Sequence, residues 1–196
     1  MNWYEKLNQY FPVEEMKSKR HFETLLKEKG DVYRKDEGEY HVMMYAEFDS
    51  FIFIDYVYVS PQSRGQGIGH KLMEKLKAKG KPIILEVEPV DYDDSDTEKR
   101  LHFYQREGFK HAQSIGYTRK SLATKEVNTL EILYWAPDKE SEEVIYEKMK
   151  EMYEEIHTYK DEEIYGEAYQ PVEEVLTIDK SRDVDLFEEL KKPKGV

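Results

Sequence analysis

A chain of 196 residues with 39% hydrophobic and 37% charged residues suits a globular protein with one good core, and its net charge of −12 argues against nucleic acid as a partner. The absence of cysteine excludes a disulfide framework, a thiolate metal site and a cysteine nucleophile. No apolar run is long enough for a signal peptide or a membrane span, so a cytoplasmic protein with no membrane partner is expected.

The charge is uneven. From Pro137 onward 19 acids face 9 bases, against 23 and 21 before it. The field therefore belongs to the C-terminal part, where it either draws a cationic partner or simply solvates a tail.

Residues 2–29 read as helical, broken near Pro12, with Val13, Met16, Phe22, Leu25 and Leu26 as the apolar stripe and Gly30 as C-cap. Three strand-like runs follow over 31–35, 40–48 and 51–59. The short links between them imply antiparallel hairpins.

The third run ends in Val57-Tyr58-Val59-Ser60-Pro61 and gives way to Gln62-Ser63-Arg64-Gly65-Gln66-Gly67-Ile68-Gly69-His70. Three glycines in five residues let a backbone approach a ligand closely, and Ile68, Leu72 and Leu76 start a helix there. Free N–H groups at a helix start form an anion site, so the loop is expected to hold a phosphate. No Lys-Ser or Lys-Thr follows the glycines, which excludes a P-loop. The dinucleotide fingerprint fits at Gly65 and Gly67 but meets His70 at its third glycine, with Gly69 one residue early. Glu86, about 20 residues on, keeps dinucleotide binding as a rival; the antiparallel hairpins before the loop weaken it.

The helix after the loop runs to about residue 79, and a strand over 82–90 completes one strand–helix–strand unit with a right-handed crossover. Ser95-Asp96-Thr97-Glu98 reads as a capping box for a helix carrying Leu101, Phe103 and Tyr104 and ending at Gly108. Strands over 112–118 and 130–135 follow. The expected fold is α+β, a mixed, mostly antiparallel sheet flanked by helices and spanning residues 1–136. Residues 137–196 read as an acidic C-terminal extension, with an amphipathic helix over about 140–158 (Val144, Ile145, Met149, Met152, Ile156). Beyond it Val175, Leu176, Ile178 and a short helix over 185–190 are expected to dock weakly, and 191–196 to be disordered. A homodimer through a sheet edge or through this extension stays open.

Arg64-x-x-Gly67-x-Gly69 after a Val-x-Pro strand end, followed by Phe103-Tyr104-x-x-x-Gly108-Phe109, resembles the GCN5-related N-acetyltransferase (GNAT) family over about residues 30–136. The resemblance implies transfer of an acetyl group from acetyl-CoA to a primary amine by direct attack in a ternary complex. It implies that the backbone of Arg64, Gly65, Gln66, Gly67, Ile68 and Gly69 cradles the pyrophosphate, and that Val57 and Val59 hydrogen-bond the pantetheine arm. It also implies that Tyr104 protonates the departing thiolate. Arg64 brings charge to the loop, and His70 either touches a CoA phosphate or is a surface histidine.

The amine must lose a proton to attack. Asp55 is the first candidate base, because strand alternation puts it on one face with Phe51, Phe53, Val57 and Val59, where apolar neighbours raise a carboxyl pKa. Glu86, with Glu88 beside it on the polar face of the next strand, is the second; a salt bridge to Lys or Arg on a neighbouring helix is the alternative role. Asp91, Asp93, Asp94 and Asp96 extend this run of acids, either as an attractor for a cationic amine or as a solvated loop. A calcium loop would need Gly at Asp96 and Glu at His102, and the six histidines show no metal spacing. Thr97 and Arg100 stand where the family has Asn and a small residue, the loop before that helix is longer than usual, and no strand precedes residue 30. These departures bear on the acceptor pocket, and they leave a second function open: a protein that binds acetyl-CoA or CoA without turnover.

Overall fold

The computed structural model describes residues 1–192. Two helices come first, α1 (Trp3–Tyr10) and α2 (Lys19–Glu28). Asn2 caps α1 through a reciprocal bond with Glu5, and Ser18 caps α2 by accepting from the His21 N–H. Three strands follow, β1 (Tyr33–Glu37), β2 (His41–Glu47) and β3 (Ile52–Val59), paired antiparallel in sequence order. A short 3₁₀ turn (Pro61–Ser63) leads to α3 (Ile68–Lys77), and β4 (Ile83–Val87) returns parallel to β3. Then come α4 (Ser95–Arg106), β5 (Lys110–His111), β6 (Ile115–Lys120) and β7 (Val127–Trp135). The sheet order is β1-β2-β3-β4-β7-β6-β8, where β8 is Leu176–Ile178 of the C-terminal part, with β5 on β7, and β3–β4 is its parallel pair.

One local expectation fails at α4. Asp94, not Ser95, is the N-cap, accepting from the Asp96 N–H at 2.9 Å. An Asp side chain in extended backbone reaches the first-turn donors as well as a Ser does, and Ser95 is displaced into the first helical position.

The C-terminal part differs more. After α5 (Glu142–Met152) and a turn of π-helix (Tyr153–His157) come α6 (Asp161–Tyr165), α7 (Val172–Val175), β8 (Leu176–Ile178) and α8 (Leu186–Glu189). Ile145, Met149, Met152 and Ile156 are fully buried in the same core as Phe22, Phe53 and Ile84. Burying a side chain of that size contributes roughly 1.5–3 kcal/mol, so this helix is built into the fold. Nor is the piece beyond it weakly docked: β8 pairs antiparallel with β6, and Leu186 is buried against α4. The expected disorder at the end falls mostly on residues 193–196, outside the described residues; residues 191–192 extend α8 by turn hydrogen bonds. Among the described residues, no helix is long and apolar enough to cross a membrane.

The sheet thus has two covered faces. Phe51, Phe53, Tyr56 and Ile84 point to α1, α2 and α5, whereas Ile52, Ile54, Leu85 and Leu133 point to α3, α4 and α8.

Candidate active site

Two features of β3 open a site in the middle of this sheet. Its parallel pairing with β4 stops at Ile54 opposite Leu85, so the strands part beyond that point. Its pairing with β2 skips Asp55: Met44 faces Tyr56, while Tyr45 faces Ile54. That is a β-bulge, and it reverses the alternation. Phe51 and Phe53 are on the α1/α2/α5 face, but beyond the bulge that face holds Tyr56 and Tyr58, while Val57 and Val59 turn to the α3/α4 face. The expectation that Asp55 shares a face with Val57 and Val59 is therefore corrected.

On the α3/α4 side lies a cleft lined by Val57, Val59, Arg64, Gly65, Gly67, Ile68, Gly69 and His70 together with Phe103 and Tyr104 of α4. Gly67 is the N-cap of α3 in left-handed backbone, φ 76°, and offers no capping side chain. Among the described residues, the N–H groups of Gly65, Gly67, Ile68, Gly69 and His70 find no acceptor within the protein. A Cβ at Gly67 would meet nothing within 4 Å, whereas one at Gly69 would lie 3.1 Å from the Phe103 ring. Gly67 thus serves the backbone conformation, and Gly69 the approach of α3 to α4. Unspent donors at the positive end of a ten-residue helix, bare of side chains, fit a pyrophosphate. Gln66 is exposed beside this rim and donates its N–H back to the Ser63 carbonyl at 3.2 Å. The Arg64 guanidinium is exposed and sits 5.8 Å from the centroid of the Tyr10 ring. The His70 ring turns to Glu107, with Nδ1 2.8 Å from Oε1, and Lys77 shares that carboxylate.

On the opposite side the gap between β3 and β4 opens into a second cleft. Phe11 and Glu15 overhang it, Asp55, Glu86, Glu88 and Arg119 line it, and Val57, Arg100 and Tyr104 are common to both clefts. Tyr104 is 8% exposed, and burial pushes its phenol well above the ordinary value, with the nearby Arg100 cation opposing. It is a proton donor at any working pH. The loop carrying Glu15 is fixed from below, because the Tyr56 hydroxyl donates to the Glu15 carbonyl and accepts from the Lys17 N–H at 3.0 Å.

The carboxylates of this second cleft are in three different conditions. Both oxygens of Asp55 are taken, Oδ1 by Lys17 Nζ at 2.8 Å and Oδ2 by the Tyr33 hydroxyl at 2.5 Å. A carboxylate held by a hydrogen bond at each oxygen, one of them from an ammonium, is a weaker proton acceptor than a free one, which counts against the role first expected of it. Glu86 accepts from His157 Nε2 at 2.7 Å and faces Arg119 Nη2 at 3.7 Å. Burial opposes its charge, but the His157 ring and the Arg119 guanidinium outweigh burial and hold it at about 2. Its partners are a buried histidine and an arginine of β6, so the arginine of the expected salt bridge comes from a strand and not from a neighbouring helix. Glu88, just past β4, is the reverse: burial raises its carboxyl above the usual range, opposed by Arg100, whose Nη2 is 3.8 Å away, and helped by Asp94.

His157 is wedged between charges. Its Nδ1 is 2.9 Å from Lys17 Nζ, and burial, then the Lys17 ammonium, lowers its pKa. A neutral ring that accepts at Nδ1 and donates from Nε2 satisfies both neighbours. Tyr33, Asp55, Lys17, His157 and Glu86 therefore form one hydrogen-bonded chain under the cleft.

Thr97 and Arg100, the departures at α4, both have tasks. The Thr97 hydroxyl accepts from the Asp91 N–H and donates to the Asp94 carbonyl, each at 2.9 Å, pinning the acidic loop. Asp91 and Asp93 line an open groove with Glu15 and Glu88, which adjoins the second cleft. Glu15, Arg119 and His157 carry no local pattern in sequence that marks them as site residues; the α1–α2 connection, β6 and the π-turn bring them in.

A family model described as "Acetyltransferase (GNAT) domain" matches residues 26–111. The chain is 67% identical over 191 residues to a Bacillus subtilis (strain 168) protein named "Putative acetyltransferase YjbC", covering 97% of this chain and all of that one. Among solved structures it is similar to "Putative acetyltransferase from GNAT family from Bacteroides thetaiotaomicron", with a TM-score of 0.56 and 22% identity over 84% of this chain and 90% of that one. The last likeness concerns the fold.

Proposed function

Because this chain belongs to the GNAT family of acetyltransferases, whose acetyl donor is acetyl-CoA, we propose that it transfers the acetyl group to a primary amine by direct attack in a ternary complex. The observation that carries this reading is that the two clefts meet at Tyr104, through the parting of β3 and β4. Donor and acceptor would approach one point from opposite faces of the sheet.

Bound acetyl-CoA supplies an activated acyl carbon. The free N–H groups of Gly65, Gly67, Ile68, Gly69 and His70 supply backbone donors for its pyrophosphate, whereas those of Arg64 and Gln66, expected to join them, are spent on the Pro61 and Ser63 carbonyls, and Val57 and Val59 line the way inward. Glu88 is the proposed base. It lines the second cleft, and its raised pKa suits proton uptake near neutrality better than the fully ionised Glu86 does. Glu88 takes the proton the amine loses as the N–C bond forms, and Tyr104 gives its proton to the sulfur as the C–S bond breaks. Glu86, held ionised, stabilises the cationic amine beside it. The groove of Asp91, Asp93, Glu15 and Glu88 favours entry of a cationic amine.

The test is a calorimetric titration with acetyl-CoA against NAD, followed by CoA-thiol release over a panel of amines. Micromolar binding of acetyl-CoA alone, with amine-dependent thiol release, is the expected result. Binding without release from any amine would favour a CoA-binding protein without turnover, and selective binding of NAD would overturn the reading altogether. The cysteine-free chain adds no background thiol.

A further inference from the structure

Arg119 sits in β6 at the floor of the second cleft, with its side chain 11% exposed. Among the described residues its guanidinium makes no hydrogen bond, and its ion-pair partner is Glu86 Oε2 at 3.7 Å, beyond hydrogen-bonding reach. Glu86 has already given its other oxygen to His157. The phenols around Arg119 do not serve as anions: burial raises the pKa of Tyr56, Tyr117 and Tyr169 and holds each protonated. A guanidinium carries five donors in a planar fork, and at Arg119, which is largely but not fully buried, no protein acceptor takes them up, so they are left to whatever enters the cleft. The fork matches a carboxylate, with two parallel N–H···O bonds.

The same cleft holds a second unspent group of opposite sign. Glu15 Oε1 is buried without a hydrogen-bond partner, at the overhang opened by the α1–α2 connection. Glu15 and Arg119 form no ion pair with each other among the described residues, so neither answers the other's need. A polyamine would satisfy Glu15, Glu88 and the acidic groove but would set a second cation against Arg119. An amine that also bears a carboxylate satisfies both.

We propose that the acceptor is a small amino acid, an amine and a carboxylate in one molecule, whose carboxylate is gripped by Arg119 while its amine is received among Glu15, Glu86 and Glu88. This rests on the acetyltransferase reading above. A guanidinium only 11% exposed within the lining of this cleft is reached by a slender free molecule more readily than by the folded surface of a protein.

The experiment compares amino acids with their decarboxylated counterparts, lysine with cadaverine, ornithine with putrescine and tyrosine with tyramine. CoA-thiol release is measured with the full chain, with Arg119→Gln and with Arg119→Lys. A charge-assisted bidentate contact is worth about 1.5–3 kcal/mol, so at least one amino acid should exceed its counterpart in kcat/KM by roughly 10- to 100-fold. Arg119→Gln should bring that ratio close to one, and Arg119→Lys, which keeps the charge and loses the fork, should leave it between the two. If wild type treats every pair alike, the inference is wrong. It is equally wrong if Arg119→Gln slows both members of a favoured pair by the same factor, as a mere counterion of Glu86 would. Should no amine release thiol, the acetyl-transfer reading fails by itself, and the same pairs are titrated into the CoA complex. Preferential binding of amino acids that Arg119→Gln abolishes would still sustain the carboxylate site, and equal or absent binding would overturn it. Melting curves confirm that each variant is folded.

Discussion

His157 Nε2 lies 2.7 Å from Glu86 Oε1, a contact that joins the C-terminal segment to the floor of the second cleft across 71 residues of sequence. The imidazole is buried, and its other nitrogen meets Lys17, which in turn meets Asp55. One neutral ring therefore separates two charged groups that would otherwise need other partners. His157→Phe keeps an aromatic ring, slightly larger than the imidazole, and deletes both hydrogen bonds to charged groups. Each such bond contributes about 1.5–3 kcal/mol, so a loss of about 3 kcal/mol or more is expected in urea unfolding. Acetyl-CoA affinity of the folded protein should stay as in wild type, since the glycine loop shares no hydrogen bond with this chain. An unchanged unfolding midpoint would show that the network carries no stability.

Tyr104 is where the two clefts join, and its phenol is kept protonated by burial. Tyr104→Phe removes one oxygen from a wall that otherwise keeps its packing with Phe103 and Phe109. General-acid catalysis is worth typically ~10²–10⁴-fold, so kcat should fall within that range while the acetyl-CoA dissociation constant changes by less than ~3-fold. Steady-state thiol release and calorimetry measure the two separately. A variant that lost affinity and kept kcat would assign Tyr104 to binding instead of proton transfer.

How much of this was legible beforehand depended on the range of the interactions. The hairpins, the strand–helix–strand unit and the glycine rim are set by contacts close in sequence, and a bare helix start at Gly65, Gly67 and Ile68 was legible from spacing alone. Asp55 shows where local reading stops. Alternation is a sound rule for an unbroken strand, but one extra residue opposite Met44 and Tyr45 reverses every later side chain, and nothing in Ile54-Asp55-Tyr56 announces it. His157 shows the other limit. An amphipathic stripe at 145, 149, 152 and 156 predicts a helix with a buried face, yet not that this face completes a sheet core 100 residues upstream. The acidic count of the tail pointed outward, to solvent, while its apolar minority decided where it packs.

Glu86 and Glu88 lie two residues apart and should give opposite pH signatures. Burial lifts Glu88 above its ordinary 4.5, whereas His157 and Arg119 hold Glu86 at about 2. If Glu88 takes the amine proton, kcat/KM rises with pH as Glu88 ionises, with an acid limb above the usual carboxylate range. Glu88→Gln should lower kcat/KM by ~10²-fold and erase that limb, leaving the ionisation of the amine itself. Glu86→Gln should preserve the limb and chiefly raise KM for the amine. Retention of the acid limb in Glu88→Gln would remove Glu88 from the role of base.

His21 supplies a pH dependence of folding that is separate from the chemistry. It is fully buried, its Nε2 donates to the Ile156 carbonyl at 3.1 Å, and its Nδ1 accepts from the Tyr165 hydroxyl at 2.9 Å. Burial, and then the Lys17 ammonium, takes its pKa from 6.5 down to about 3. Below pH 6.5 the unfolded chain binds this proton and the folded chain does not, so stability is fully present above that pH and declines as pH falls toward 3. Each pH unit in that window is worth about 1.4 kcal/mol, which makes the His21 share of the loss between pH 7 and pH 5 about 2 kcal/mol. His157, also buried neutral, adds to the loss with the same sign. Urea unfolding at both pH values, in wild type and in His21→Phe, isolates the His21 share. The variant starts less stable at pH 7, for want of two hydrogen bonds, but should lose about 2 kcal/mol less on acidification. Parallel losses in the two proteins would mean that His21 takes up its proton within the fold near its ordinary pKa.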